Sequence, residues 1–157
     1  MPRTPTRSVA LSLGWVVLVA LGRTWAIRFD DWYEALVKPG MMPPEWMGGV
    51  AWALILMGAG AAAVAASEAP LADRFIRRRL VGLYVLNGLL NVGYTWLFFR
   101  LQRPDIAVWA MALLLFSVIA MLATIRPLSR TGALLLTPYL LWVVYGVGVM
   151  AAVVRMN

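Results

Sequence analysis

Five long apolar runs, separated by polar stretches, organise the chain. They cover residues 8–27, 46–66, 80–99, 106–125 and 131–154. Each is about 20 residues or longer, the length a helix needs to cross the hydrocarbon core of a bilayer. None alternates apolar and polar positions as a barrel strand would. The pattern therefore predicts five membrane-spanning helices in a single domain over residues 1–157.

The first run can also be read as a leader, since Arg3 and Arg7 precede an apolar stretch reaching Ala20-Leu21-Gly22. The stretch continues to Trp25 and Ile27, interrupted only by Arg23, which can extend its head group to the interface. A retained helix is the better reading.

The connections differ in kind. Those at 68–79, 100–104 and 126–130 are short and basic. The first, at 28–45, is long and bounded by Pro39, Pro43 and Pro44. Asp30 can cap a short helix that stops at Pro39. Pro43-Pro44 then suits the start of the next span. An ordered loop of this length on a small bundle is often functional.

Charge adds orientation. With five spans, Arg3, Arg7, Arg74, Arg77, Arg78, Arg79, Arg126 and Arg130 share one side. Arg23, Arg28, Lys38, Arg100, Arg103 and Arg155 share the other. Eight against six favours a cytoplasmic N-terminus and places the first loop opposite. The net charge of +7 thus reads as topology and contact with anionic lipid, not nucleic-acid binding. Helical spans favour the inner over the outer bacterial membrane.

Composition narrows the chemistry. The chain is 62% hydrophobic and 13% charged, against about a quarter charged in soluble domains, so lipid is its solvent. It has no Cys and no His. That removes disulfides, thiolate chemistry and the commonest metal ligand and general base. Haem iron would lack its usual protein ligands. No metal spacing, phosphate loop, nucleophile motif or intramembrane acidic pair stands out. No metal site, catalytic residue or covalent cofactor is expected.

Aromatic and amide residues carry the remaining signal. Trp15 and Trp109 read as interfacial, whereas Trp52 and Trp142 lie inside their spans. Asn87 and Asn91, four residues apart, share a helix face with Tyr94 and Phe98. Their amides should point into the bundle, either bonding between helices or facing a ligand cavity. In the fifth span, Pro138 frees a carbonyl, and Trp142 and Tyr145 flank Gly146, where a flat slot or a helix contact is expected. Gly58, Ala62 and Ala66 permit close helix approach, within the chain or in a homodimer.

These residues also carry a family resemblance. Trp32-Tyr33-x-x-Leu36-x-Lys38-Pro39-x-x-x-Pro43-Pro44-x-Trp46 resembles the first-loop signature of the TspO/MBR family, the tryptophan-rich sensory or translocator proteins. Ala51-Trp52, Asn87-x-x-x-Asn91-x-x-Tyr94-Thr95-x-x-Phe98-Phe99 and Pro138-Tyr139-Leu140-x-Trp142 resemble its second-, third- and fifth-helix motifs. The resemblance runs over about residues 10–145 and implies an all-α, five-helix membrane bundle, frequently dimeric, with the first loop covering a pocket. It implies binding of porphyrins or other hydrophobic ligands, and a role in tetrapyrrole, carotenoid or photosynthetic pigment metabolism. By motif position the ligand residues would be Tyr33, Trp46, Trp52, Asn87, Asn91, Tyr94 and Trp142, to which the small Gly146 is added. The chain departs from the family at Val149-Met150, where Leu-Asn is usual, and at Ala151, where a sterol-recognition motif needs Tyr. Gly40-Met41-Met42 also makes the first loop less aromatic than in many members.

Three functions are therefore carried forward. One is a sensor, regulator or transporter binding a planar apolar ligand such as a porphyrin. Another is a light-dependent porphyrin-degrading enzyme, and a third is an accessory subunit of a larger pigment–protein complex. The five-span reading predicts that the two chain ends lie on opposite membrane faces. Single cysteines at positions 3 and 156 should each be labelled from one face only, and from different faces. Labelling of both from the same face would reject it.

Overall fold

The computed structural model describes residues 5–157, and among them the regular structure is entirely helical. The elements are α1 (Pro5–Ala26), α2 (Asp31–Ala35), α3 (Glu45–Ser67), α4 (Arg74–Phe99), α5 (Pro104–Ile125) and α6 (Arg130–Met156). All but α2 are long and apolar enough to span a membrane, as the five apolar runs predict. Arg3, one of the topology anchors, lies outside the described residues.

The spans close into a ring in the order α1, α3, α6, α5, α4 and back to α1. Sequence neighbours α4–α5 and α5–α6 are adjacent in space. The ring closes only because α3 packs between α1 and α6, which the linear order does not dictate. The outer face is apolar, with Leu18, Leu89, Phe116, Leu134 and Leu141 exposed. Lipid satisfies such a surface, so apolar burial alone cannot hold the helices together. Close backbone approach does part of that work. A Cβ on Gly58 would lie 2.9 Å from the Leu135 carbonyl oxygen, and one on Gly132 would lie 3.3 Å from that of Ala62. Ala62 and Ala66 are fully buried. The small-residue stripe of α3 is therefore engaged within the chain, against α6.

The helix ends follow local chemistry. Asp73 accepts the Ile76 N–H at 2.7 Å and starts α4 six residues ahead of the apolar run, making the basic 74–79 stretch helix instead of loop. Arg77 also donates to the Ala72 carbonyl at 2.8 Å. Asp30 caps α2 by accepting the Tyr33 N–H. That helix ends at Ala35, earlier than the Pro39 stop expected, because Leu36 is already extended. α6 continues through Pro138.

The α3–α6 contact generates a substitution test. Gly58→Ala places a methyl against a backbone carbonyl that cannot rotate away, and should destabilise by about 1–3 kcal/mol. Gly82→Ala on α4 meets open space, so helix propensity should make it neutral or stabilising by up to about 1 kcal/mol. Thermal unfolding in detergent should separate the two, and equal midpoints would show that the approach is not limiting.

Candidate functional site

The interior of this apolar ring contains a full positive charge. Arg23, one turn inside the end of α1, is only 6% exposed. The expectation that it reaches the interface is wrong, because its partners all lie inside the bundle. Its Nη1 donates to Asn91 Oδ1 at 2.6 Å, to the Tyr94 hydroxyl at 2.9 Å and to the Thr95 hydroxyl at 3.0 Å. The guanidinium also lies over the Trp52 ring, 3.8 Å from its centroid.

The hydrogen bonds continue in one direction. An Arg cannot accept, so Asn91 must present its oxygen to Arg23 and its amide N–H₂ elsewhere. Asn91 Nδ2 donates to the Tyr139 hydroxyl at 2.7 Å, which donates to Asn87 Oδ1 at 2.8 Å. Asn87 Nδ2 donates to Ser117 Oγ at 2.8 Å, and Ser117 donates to the Leu114 carbonyl at 2.7 Å. Every donor points away from the guanidinium, so each dipole turns its negative end toward the charge. Such a chain strengthens cooperatively in a low-dielectric interior.

Asn87 and Asn91 are both fully buried, as expected. Both amides make interhelical bonds, and neither residue is among those lining the cavity beneath the first loop. Of the two readings open from the sequence, interhelical bonding describes these residues.

Beside the network lies a cavity of about 320 Å³, at the end of the bundle beneath the first loop. That is at the lower end of the range for small-molecule sites, about 300–1,000 Å³. Tyr33, Trp52, Tyr94, Trp142 and Gly146 line it, together with Arg23, Phe98, Phe99, Met111 and Tyr145. The Trp52 and Trp142 centroids are 6.5 Å apart with the rings at 87°. The two indoles thus form a corner, not the parallel walls of a flat slot. A Cβ at Gly146 would run into the terminal methyl of Met111 from α5, so this glycine both lines the cavity and admits a neighbouring side chain.

Trp46 is not brought to the site. It is 69% exposed and outside the cavity wall. Glu45, Gly48, Gly49, Trp52, Ala53 and Leu56 of α3 face the cavity, at the spacing of one helix face. Position 46 is rotated off that face. Trp15, expected at the interface, instead packs inside: its Nε1 donates to the Tyr84 carbonyl at 2.8 Å, and it sits against Gly88. Trp109 is 72% exposed, on the outer face of α5.

The loop is fastened on both sides. On the α4 side, Trp32 packs edge-on to Phe98 and Tyr33 packs on Phe99. On the α6 side, the Tyr145 hydroxyl donates to the Met41 carbonyl. The Asn157 side chain accepts from the Val37 N–H at 3.0 Å and donates to the Val37 carbonyl at 3.2 Å. Burial, followed by the Glu45 and Glu34 carboxylates, pushes the Tyr33 phenol up to about 12. It is therefore a neutral hydroxyl at physiological pH. Among the described residues no group of His, Cys, Asp and Glu could hold a metal ion.

Sequence reasoning missed Arg23 as a site residue, and used Tyr139 only as part of a motif. The available signal for Arg23 was a lone cation inside an apolar run, which by default marks function in a membrane helix.

Five spans in a closed ring, with a strapped loop over an aromatic cavity, define a small polytopic integral membrane protein. The profile of the TspO/MBR family matches residues 8–155, and the chain belongs to that family. It is 29% identical over 153 residues to the tryptophan-rich protein TspO of Chlorobaculum tepidum, covering 96% of each chain. It is 32% identical over 149 residues to protein CrtK of Rhodobacter capsulatus, covering 90% of this chain and 89% of that protein. Against the human translocator protein it is 30% identical over 146 residues, with 85% and 82% covered.

The network predicts a ranking of substitutions. Asn91→Leu strips the cation of its shortest hydrogen bond, a loss of the charge-assisted kind worth about 1.5–3 kcal/mol. Asn87→Leu disturbs only neutral groups, a loss of about 0.6–2 kcal/mol. Thermal unfolding in detergent should therefore place Asn91→Leu below Asn87→Leu. The reverse order would mean that the charge is not carried by this chain of bonds.

Proposed function

We propose that the protein binds a planar hydrophobic ligand, with a porphyrin or related tetrapyrrole as the preferred class, in the cavity beneath the first loop. Binding would serve sensing, regulation or transport in tetrapyrrole or photosynthetic pigment metabolism. The observation that carries this reading is the convergence of Tyr33, Trp52, Tyr94, Phe98 and Trp142, from the loop and three spans, on one cavity. Mostly apolar and aromatic walls with a few placed polar groups suit such a ligand. The perpendicular indoles would stack on one face of a flat ligand and meet its edge. Relatives named a sensory protein and a translocator protein are consistent with a ligand-linked role. The loop would act as the lid, opened by release of Tyr145 from Met41 and of Asn157 from Val37.

The proposal extends to setting. The N-terminus is placed on the cytoplasmic side of an inner membrane, leaving the lid on the opposite face. With Arg23 counted inside the bundle and not on a loop, the lidded side loses one anchoring charge, which strengthens this orientation. Assembly as a homodimer would use the lipid-facing surface, since the α3 glycine–alanine stripe is already occupied.

Intrinsic fluorescence quenching by protoporphyrin IX in detergent micelles, with inner-filter correction, tests the site. Trp52→Ala and Trp142→Ala should each weaken binding by about 1–3 kcal/mol, the scale of burying a large apolar side chain. Gly146→Phe should block binding by filling the cavity and displacing Met111. Trp109→Ala, on the outer face of α5, should change little. Equal affinity across wild type and all four variants would place the ligand elsewhere and favour the accessory-subunit reading.

A further inference from the structure

The buried cation of α1 has an unused edge. All three hydrogen bonds that the Arg23 side chain makes among the described residues leave from Nη1. Its Nε and Nη2 make none. Arg100 Nε is the one enclosed, unpartnered side-chain nitrogen or oxygen among the described residues. The Nε and Nη2 of Arg23 therefore each keep some accessible surface, and Arg23 lines the cavity.

No carboxylate neutralises the charge. The ion pairs among the described residues involve Arg28, Lys38 and Arg103, and none includes Arg23. Glu45 faces the same cavity but is exposed and stands more than 4.0 Å from the guanidinium. Neutral oxygens and the Trp52 ring compensate the charge only in part. A desolvated cation whose partners are all neutral retains a strong preference for an anion.

The free edge has a defined geometry. Nε–H and Nη2–H are parallel donors spaced to match the two oxygens of one carboxylate. The same molecule shows that pairing at the surface, where Arg103 Nε and Nη2 bind Asp105 Oδ1 and Oδ2 at 2.9 and 2.7 Å. Nη1 and the Trp52 stack fix the guanidinium plane, and with it this edge, in advance. Little rotamer entropy remains to be lost on binding.

We propose that Arg23 is an anion receptor in the cavity, which takes the carboxylate of an otherwise apolar ligand on its Nε–Nη2 edge. The inference rests on the reading of the cavity as a ligand site, and it narrows the ligand class to amphipathic carboxylic acids. A tetrapyrrole propionate and the head group of a polyene or terpenoid acid share this chemistry. Neutral carotenoids and esters lack it.

Matched acid and ester pairs test the charge separately from the apolar body. Fluorescence quenching of the full chain in neutral detergent would compare protoporphyrin IX with its dimethyl ester, and retinoic acid with its methyl ester. Wild type should prefer the acid of a bound pair by about ten-fold or more, the scale of a buried charge-assisted pair. Arg23→Gln should reduce that preference to about two-fold or less, by weakening the acid more than the ester. Arg23→Lys, a point charge without the fork, should fall between. Equal acid and ester affinity in wild type would overturn the proposal even if Arg23→Gln failed to fold. An acid preference surviving in folded Arg23→Gln would also overturn it. If only the retinoid pair binds, with the Arg23-dependent preference intact, the tetrapyrrole reading fails and the anion receptor stands. If the porphyrin pair binds without acid preference and is weakened by Trp142→Ala, the anion receptor fails and the tetrapyrrole reading stands. Binding of neither pair counts against both.

Discussion

An unneutralised guanidinium in an apolar interior is the constraint around which this bundle is arranged. Isolated in hydrocarbon, such a charge costs at least several kcal/mol. Here every span contributes to offsetting that cost. α1 supplies Arg23, and α3 supplies the Trp52 face. Asn91, Tyr94 and Thr95 of α4 accept its hydrogen bonds. Tyr139 of α6 and Ser117 of α5 carry the donor chain onward. Displacing α1, α4, α5 or α6 would leave buried polar groups of the network without partners, so the network favours this arrangement of those four spans.

The rest of the packing is of a different kind. Lipid solvates the outer face as well as neighbouring helices would, so association relies on shape and on polar bonds. Glycines admit the contacts that matter: Gly58 to the α6 backbone, Gly60 to Val16 of α1 and Gly22 to Val92 of α4. Mid-bundle anchors such as the Tyr84 hydroxyl on the Ala59 carbonyl add direction to these contacts. At the end beneath the loop, large aromatics meet at edges and corners around the cavity.

That space adjoins the network and the first loop. Trp52 touches Arg23 on its face and Trp142 at its edge. Trp142 neighbours Tyr145, whose hydroxyl holds the loop at Met41. A ligand occupying the corner would therefore press on the charge, on the aromatic wall and on the Tyr145 contact with the loop. This continuity of contact is a physical basis for linking occupancy of the cavity to the position of the loop.

Much of this architecture was legible in the amino-acid order. Apolar runs of spanning length determine five helices, because a bilayer leaves unsatisfied backbone few alternatives. The prolines and Asp30 mark an ordered first loop, and the four-residue spacing of Asn87 and Asn91 turns both amides inward. The loop and helix motifs also point to Tyr33, Trp52, Tyr94 and Trp142 as residues of one site. What tertiary structure alone decided was which inward groups meet. One residue along a helix is a rotation of about 100°, so Glu45 faces the cavity and Trp46 faces outward. Ring closure through α3 puts Trp52 over Arg23 and carries the amides into a chain of bonds instead of a ligand wall. Sequence spacing places a side chain on a face of its own helix. The identity of the opposing face depends on how five helices close, and that is settled only when the buried charge, the close glycine contacts and the strapped loop are satisfied together.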